Sequence, residues 1–105
     1  MFTQSLSCTA PLWRWTGGGQ NGSWHFLTIN GPAGEQLSAE ALERRLEGLG
    51  RGFGSLKVRA TIGDSTFTTS VFPSKEHGWL LPVKASVRRA EDLAAGDAIE
   101  VRIDF

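Results

Sequence analysis

The sequence contains one cysteine, one methionine, no tyrosine and no long apolar segment. A single cysteine can form neither an internal disulfide nor a cysteine-based zinc site, so Cys8 is predicted to be a buried thiol. No run of about 18 apolar residues occurs, so no membrane-spanning helix is predicted and no membrane partner is expected. The N-terminal segment lacks the cationic start and apolar core of a secretory signal, so the expected location is the cytoplasm.

An excess of charge of either sign is also missing. Eleven Lys and Arg residues balance eleven Asp and Glu residues, and the formal net charge is zero with neutral histidines. A protein that holds DNA or RNA by its phosphates usually has a basic surplus, so nucleic acid is not an expected partner. The length of 105 residues and the 40% share of hydrophobic residues are typical of one globular domain, predicted to span residues 1–105.

Alternating apolar residues and turn residues predict a mainly β chain with two helices. The predicted strands cover residues 2–12, 23–30, 55–62, 65–72, 78–83 and 97–105. One helix is expected from Ser38 to Glu47, after a break at GPAGEQ, and a short one from Ala85 to Ala90. Pro73 is expected to end the fourth strand, and Pro82 to make the fifth an edge or an exit. The order β-β-α-β thus occurs twice, and neither half could bury its apolar face alone, so the two are expected to close around one core.

Side-chain periodicity predicts which residues form that core. The inward set of the third strand is Leu56, Val58, Ala60 and Ile62, and that of the last strand is Ile99, Val101, Ile103 and Phe105. In the longer helix one stripe is expected on a single face: Ala41, Leu42, Arg45, Leu46 and Leu49.

Several motifs resemble those of a known bacterial family. They are W-x-F at Trp24–Phe26, G-S-L-K-V-R-A-T-I at Gly54–Ile62, F-x-T-S-V-F-P at Phe67–Pro73, W-L-L-P-V-K-A-S-V-R at Trp79–Arg88 and L-x-x-G-D-x-I-x-V at Leu93–Val101. In combination, over nearly the whole chain, they resemble the DUF1905 family, a domain of unknown function. The resemblance implies a fold and no established activity.

The fold implied by this resemblance is a double-split pseudo-barrel made of two β-β-α-β halves and capped by one longer and one short helix. It is related to the swapped-hairpin barrels of the AbrB, MazE and MraZ type, in which two short chains build the barrel together. In the family that this sequence resembles, two halves of one chain are expected to do so.

Three cations, Lys84, Arg88 and Arg89, lie within six residues and raise the question of an anion site. Lys84 and Arg88 share one face if the segment is helical. With Arg59 they could hold a carboxylate or phosphate, because Arg offers a two-pronged donor. The alternative is a solvated helix face on which each cation pairs with a nearby carboxylate: Glu91, Asp92 or Asp97.

The candidate ligand-binding residues are therefore Arg59, Ser70, Trp79, Lys84 and Arg88. Trp13 and Trp15 form a second candidate site, because their parity is opposite to the apolar face of the first strand. If that strand continues regularly they point outward and form a possible interface. If the chain bends after Pro11, they turn inward.

No catalytic or metal-binding constellation is recognised, and no cofactor is expected. His25 and His77 lie in different segments without the spacing of metal ligands. A triad of Ser70, His77 and an acid lacks the sequence of a nucleophile elbow. Residues 17–22 read G-x-G-x-x-G, but a strand follows them instead of a helix, so a hairpin loop is predicted and not a dinucleotide site.

The leading hypothesis is a non-enzymatic cytoplasmic binding or accessory module for a small anionic ligand or a protein partner. One alternative is an AbrB-like nucleic-acid-binding regulator, and another is a small enzyme with a site that the sequence does not reveal. Because two halves of one chain can complete the barrel, the expected state is a monomer or a weak homodimer.

Overall fold

The structure, a computed structural model, describes residues 2–16, 24–48 and 54–105. Its elements are β1 Ser5–Trp15, β2 Trp24–Ile29, α1 Gly31–Leu46, β3 Leu56–Ile62, β4 Ser65–Ser74, β5 Gly78–Pro82, α2 Ala85–Ala90 and β6 Ala98–Asp104. The mainly β class and the repeated β-β-α-β order are confirmed. The predicted hairpin loop at residues 17–22 lies outside the described residues. In the described part of the chain, neither helix has the length and apolar character needed to cross a membrane.

The six strands form a closed antiparallel barrel in the order β1-β2-β5-β4-β3-β6. Four of the six strand pairs, β2–β5, β4–β3, β3–β6 and β6–β1, join the first half of the chain to the second. Neither half can therefore close a barrel alone, as expected from the repeated order. The relationship to AbrB and MazE barrels, and the double-split description, stay predictions.

Two strands divide their pairing between two neighbours, in equivalent positions of the two halves. β1 pairs with β6 from Ser5 to Pro11 and with β2 from Leu12 to Trp15. β4 pairs with β3 from Ser65 to Val71, and with β5 only at Phe72, Pro73 and Ser74. Where a strand changes its pairing partner, a gap opens between that strand and the neighbour with which it no longer pairs.

One continuous core fills the barrel. The predicted inward residues of β3 and β6, together with Phe105, are each at most 5% exposed, so the two predicted sets are confirmed. Cys8 lies on the inward side of β1 and is half-buried instead of fully buried. Burial raises the pKa of its thiol above the ordinary value, which makes the thiolate scarce and the thiol unreactive.

The predicted start of α1 at Ser38 is wrong, because the helix begins at Gly31. Pro32 occupies the first helical turn, where its fixed φ and missing N–H are tolerated, so the Gly-Pro pair starts the helix instead of breaking the chain. Gly34 allows the helix to lie close to β2: a Cβ there would stand 2.8 Å from the carbonyl oxygen of Ile29. Ser38, the predicted cap, instead accepts a hydrogen bond of 2.9 Å from Trp79 Nε1.

The predicted apolar stripe of α1 is also wrong in its second half. The buried helix residues are Gly34 and Leu37, whereas Leu42 is 53% and Leu46 is 78% exposed. Ala41 packs against the core, and Leu49 lies outside the described residues. Because α1 docks through its first two turns, a stripe read from its later leucines does not find the contact.

Two prolines lie within strands, and the prediction that Pro73 ends the fourth strand is wrong. Pro11 lies within β1, at the point where the pairing changes from β6 to β2. Pro73 lies within β4, opposite Trp79 of β5, and β4 has already left β3 at this position. One side of β4 is thus unpaired there, and a proline is tolerated on such an edge because no ladder hydrogen bond is lost.

α2 is anchored by one buried side chain and one hydrogen bond. Val87 is 5% exposed, and Ser65 Oγ donates to Glu91 Oε2 at 2.6 Å. Gly63, in the predicted turn between β3 and β4, has a φ of +57°, and a Cβ at this position would collide with the Glu91 carboxylate. The glycine therefore provides both the turn conformation and the space for the anchor of α2.

We expect Gly63→Ala to lower the free energy of unfolding by about 1–3 kcal/mol, since it adds left-handed strain and displaces Glu91 from Ser65. Denaturant unfolding measures the effect. In a Glu91→Ala background only the strain should remain, so the cost of Gly63→Ala should fall. An equal cost in both backgrounds would show that the carboxylate does not depend on the missing Cβ.

Candidate functional site

One candidate site is a cavity of about 420 Å³ lined by residues of β2, β4, β5 and α2, within the size range of small-molecule pockets. It lies where β4 has left β5. Val83 N donates to the carbonyl oxygen of His25 on β2, and N–H groups point to alternate sides along a strand. Position 82 therefore faces β4, where Pro82 has no N–H to donate. Pro82, which was predicted to make the fifth strand an edge or an exit, thus lies just beyond the last β4–β5 pair, Phe72 with Leu80.

The walls of this cavity, the β4–β5 pocket, divide by chemistry. The apolar lining consists of Trp24, Phe67, Pro82, Val83 and Ala85. The polar lining consists of His25, Thr68, Thr69, Lys84 and Arg88. No carboxylate lines the pocket among the residues described, so its polar groups are neutral or positive.

Two predicted ligand-binding residues, Lys84 and Arg88, meet in this pocket, as their spacing around α2 predicted. Lys84 immediately precedes α2, and its Nζ lies 5.9 Å from the ring centroid of Phe67. Arg88 is half-buried, and its Nε donates to the carbonyl oxygen of Val83 at 3.2 Å. The two terminal nitrogens of Arg88 make no hydrogen bond to any other described residue, and so remain available to a ligand.

Neither cation pairs with the nearby carboxylates considered in the sequence. Glu91 accepts from Ser65 Oγ, and Asp97 Oδ2 accepts from the backbone N–H of Ala94 at 2.9 Å. All eleven acidic residues of the chain lie in the described ranges, and the ion pairs there involve only Glu40 and Asp104. Lys84 and Arg88 therefore line a concave surface without a carboxylate partner from this chain.

His25 lines the same pocket. Its Nδ1 is buried and does not open onto the pocket, and it has no hydrogen-bond partner among the described residues. Burial lowers the pKa of His25, and the positive charges of Arg88 and Arg14 lower it further from its ordinary 6.5. The imidazole is therefore neutral at pH 7 and adds no third charge, but it holds an unused hydrogen-bonding position.

Three predicted ligand-binding residues do not line this pocket. Arg59 Nε donates to Asp104 at 3.0 Å, and its guanidinium lies 5.6 Å from the ring centroid of Phe2. Ser70 lies opposite Lys57 on the β3–β4 ladder. Trp79 is 6% exposed and hydrogen-bonds to α1, where it borders two shallower crevices. Of the predicted set, the structure brings together only Lys84 and Arg88.

Four lining residues were not predicted from the sequence: His25, Thr68, Phe67 and Trp24. Polar residues at inward strand positions could have indicated the pocket. His25 has the inward parity of Leu27, and Thr69 has that of Phe67, so each is a polar residue at a core position of its strand. Buried polar positions of this kind usually have a hydrogen-bonding purpose, and two of them on different strands point to a shared cavity.

Trp13 and Trp15 lie on the outward side of β1, which continues without a bend after Pro11. Trp13 pairs with Phe26 at 5.3 Å between ring centroids, and Trp24 stacks on Phe26 at 6.1 Å with nearly parallel rings. Trp13 Nε1 also donates to Thr28 Oγ1. We call this set, Trp13, Trp15, Trp24 and Phe26, the outer aromatic face. Trp15 and Trp24 are 42% and 53% exposed.

Metal coordination has no candidate cluster in the ranges 2–16, 24–48 and 54–105, where no three His, Cys, Asp or Glu residues come together suitably. The polar groups of the β4–β5 pocket are two cations, two hydroxyls and one imidazole.

The model of a family described as a domain of unknown function, DUF1905, matches residues 9–103. This span covers nearly the whole chain and includes every residue that lines the β4–β5 pocket. No curated protein matches the sequence.

The Arg59–Asp104–Arg102 cluster generates a prediction about stability. Burial alone would raise the pKa of Asp104, but hydrogen bonds from Arg59 and Arg102, with their positive charges, outweigh it and lower the pKa below 3.8. We expect Asp104→Asn to cost about 1–2 kcal/mol near neutral pH, a modest value because the guanidinium groups are 49% and 61% exposed.

The pH dependence of this cost follows from the lowered pKa. Below 3.8 the unfolded chain binds a proton that the folded state resists, so the stability that Asp104 contributes is lost as pH falls towards its folded pKa. The difference between wild type and Asp104→Asn should therefore shrink in denaturant unfolding from neutral pH to about pH 3. Glu100→Gln, an exposed change on the same strand, is the control. A difference independent of pH would contradict the assignment.

Proposed function

The chain belongs to the DUF1905 family, whose function is unknown, and from that premise we propose that it is a non-enzymatic module that binds a small anion in the β4–β5 pocket. The observation that carries this proposal is the pair Lys84 and Arg88, which line a concave surface while no carboxylate of the chain pairs with either. An anion placed between them would supply the missing counter-charge.

The two cations have complementary chemistry. Arg88 presents a planar fork that fits two oxygens of a carboxylate or phosphate, and Lys84 adds a point charge on a flexible stem. The bond from Arg88 Nε to Val83 fixes the guanidinium without using its terminal nitrogens. Thr68 and Thr69 line the same pocket and can donate hydroxyl hydrogen bonds to further ligand oxygens.

Protein binding at the outer aromatic face is a second candidate function. Half-exposed tryptophans that stack in a row on one side of a sheet are common at protein interfaces. The indole N–H of Trp13 is already bonded to Thr28, so this face presents mainly ring surface. Such a face suits an apolar partner surface, and a second copy of the chain is the simplest one to test.

The anion site is tested by thermal unfolding with a panel of small carboxylates and phosphates. A ligand at about 100 times its dissociation constant should stabilise the wild type by about 2.7 kcal/mol, which gives a clear rise in Tm. Lys84→Gln should lose most of this shift, and Lys84→Gln with Arg88→Gln should lose all of it, because the counter-charge is gone.

Lys75→Gln and Arg89→Gln are the matched controls, since both residues are exposed and neither lines the pocket. Both should keep the full shift. If no anion shifts the wild type, or if the controls lose the shift equally, the proposal is wrong. Short oligonucleotides belong in the panel, and a shift that disappears with added salt would favour the nucleic-acid alternative.

The second candidate is tested by sedimentation velocity over a range of protein concentrations. If the outer aromatic face joins two copies, a weak dimer should form at high concentration, and Trp15→Ser should abolish it because it removes exposed ring area. Phe72→Ser removes a ring that is 44% exposed outside this face and is the control. A monomer at every concentration would leave the second candidate without support from self-association.

A further inference from the structure

The β4–β5 pocket is larger than an inorganic anion requires. Its volume of about 420 Å³ corresponds to about fourteen water molecules at ~30 Å³ each. A phosphate or acetate ion held by Lys84 and Arg88 would occupy only one end. The remaining space borders apolar side chains, and a ligand that fills it must carry an apolar body attached to the anionic group.

Two of the five apolar lining residues, Phe67 and Trp24, are aromatic and are held by their neighbours. Phe67 is 8% exposed and pairs with Ala60 of β3, so its ring is fixed by the barrel. Trp24 is 53% exposed and stacks on Phe26, which fixes its plane at the edge of the pocket. A flat ring packs against aromatic walls with more contact than a flexible chain and loses less conformational entropy on binding.

The cations stand next to these rings. Lys84 Nζ lies 5.9 Å from the centroid of Phe67, so a ligand whose anionic group meets Lys84 brings its body to the Phe67 ring. In benzoate a single carbon–carbon bond joins the ring to the carboxylate. The spacing of cation and aromatic wall therefore fits a carboxylate joined directly to a ring.

From these features we infer that the ligand of the β4–β5 pocket is an aromatic carboxylate. Its carboxylate lies between Lys84 and Arg88, and its ring lies against Phe67 and Trp24. This inference rests on the proposed anion site and deepens it, since the same two cations hold the charged group.

The test compares probes that change one feature at a time, by isothermal titration calorimetry with the intact chain. Acetate and inorganic phosphate carry charge alone, cyclohexanecarboxylate adds an apolar ring, and benzoate makes that ring aromatic. Benzoate should bind about tenfold more tightly than acetate. Benzoate should also bind more tightly than cyclohexanecarboxylate.

Variants assign each preference to a residue. Trp24→Leu should reduce the preference for benzoate over acetate several-fold. Trp15→Leu is its matched control, because Trp15 lies opposite Trp24 on the β1–β2 ladder and does not line the pocket.

The outcomes separate this inference from the proposal on which it rests. If acetate, phosphate and benzoate bind equally and depend on Lys84 and Arg88, the anion site stands and the aromatic carboxylate is wrong. If ring compounds bind equally well with and without a carboxylate, in wild type and in Lys84→Gln, both are wrong. Failure of every probe to bind also overturns both. Selection lost in Trp24→Leu and kept in Trp15→Leu supports the inference.

Discussion

The candidate site depends on the way β4 divides its backbone pairing between β3 and β5. If the β4–β5 register continued past Phe72 and Leu80, Ser70 would lie opposite Pro82 and Thr68 opposite Lys84. Pro82 has no N–H on the side that faces β4, so the next donor of that ladder is missing. The strands part, α2 begins just beyond, and both Thr68 and Lys84 line a cavity in place of a ladder. The missing N–H of Pro82 thus accounts for the end of the β4–β5 ladder at the place where the pocket lies.

A zero net charge is compatible with a locally positive pocket because the acids are used elsewhere. Asp104 is held by two arginines at the meeting of β3 and β6, Glu40 pairs with Arg44 along α1, and Glu91 anchors α2 through Ser65. None of these carboxylates is available to Lys84 or Arg88. Composition alone could exclude a strongly basic surface, but the distribution of charge is fixed by the fold. The positive charge of the pocket therefore depends on the fold and cannot be read from the net charge of the sequence.

Strand patterns in the sequence were enough to predict a mainly β chain whose two halves close around one core, because alternation in β3 and β6 is strict and the β-β-α-β order repeats. The barrel itself was implied by the family resemblance. The start of α1 could not be read from its later leucines, since the docking contact is made by Gly34, whose lack of a side chain leaves no hydrophobic signal. The placement of Lys84 and Arg88 on one face of α2 followed from helical spacing, a local rule. The grouping with Arg59 failed to appear because it required knowledge of strand order, which places Arg59 beside Asp104 of β6.

The short helix α2 connects the pocket to the stability of the whole chain. It has six residues, too few to be stable as an isolated helix, and it is held by Val87, by the Glu91–Ser65 bond and by Arg88 through Val83. Lys84 and Arg88 line the same pocket, so a bound anion would offset two like charges there. If the proposed anion also accepts hydrogen bonds from Thr68 and Thr69, it would tie α2 to β4. Anion binding and the docking of α2 would then be coupled, and each would strengthen the other by the same free energy.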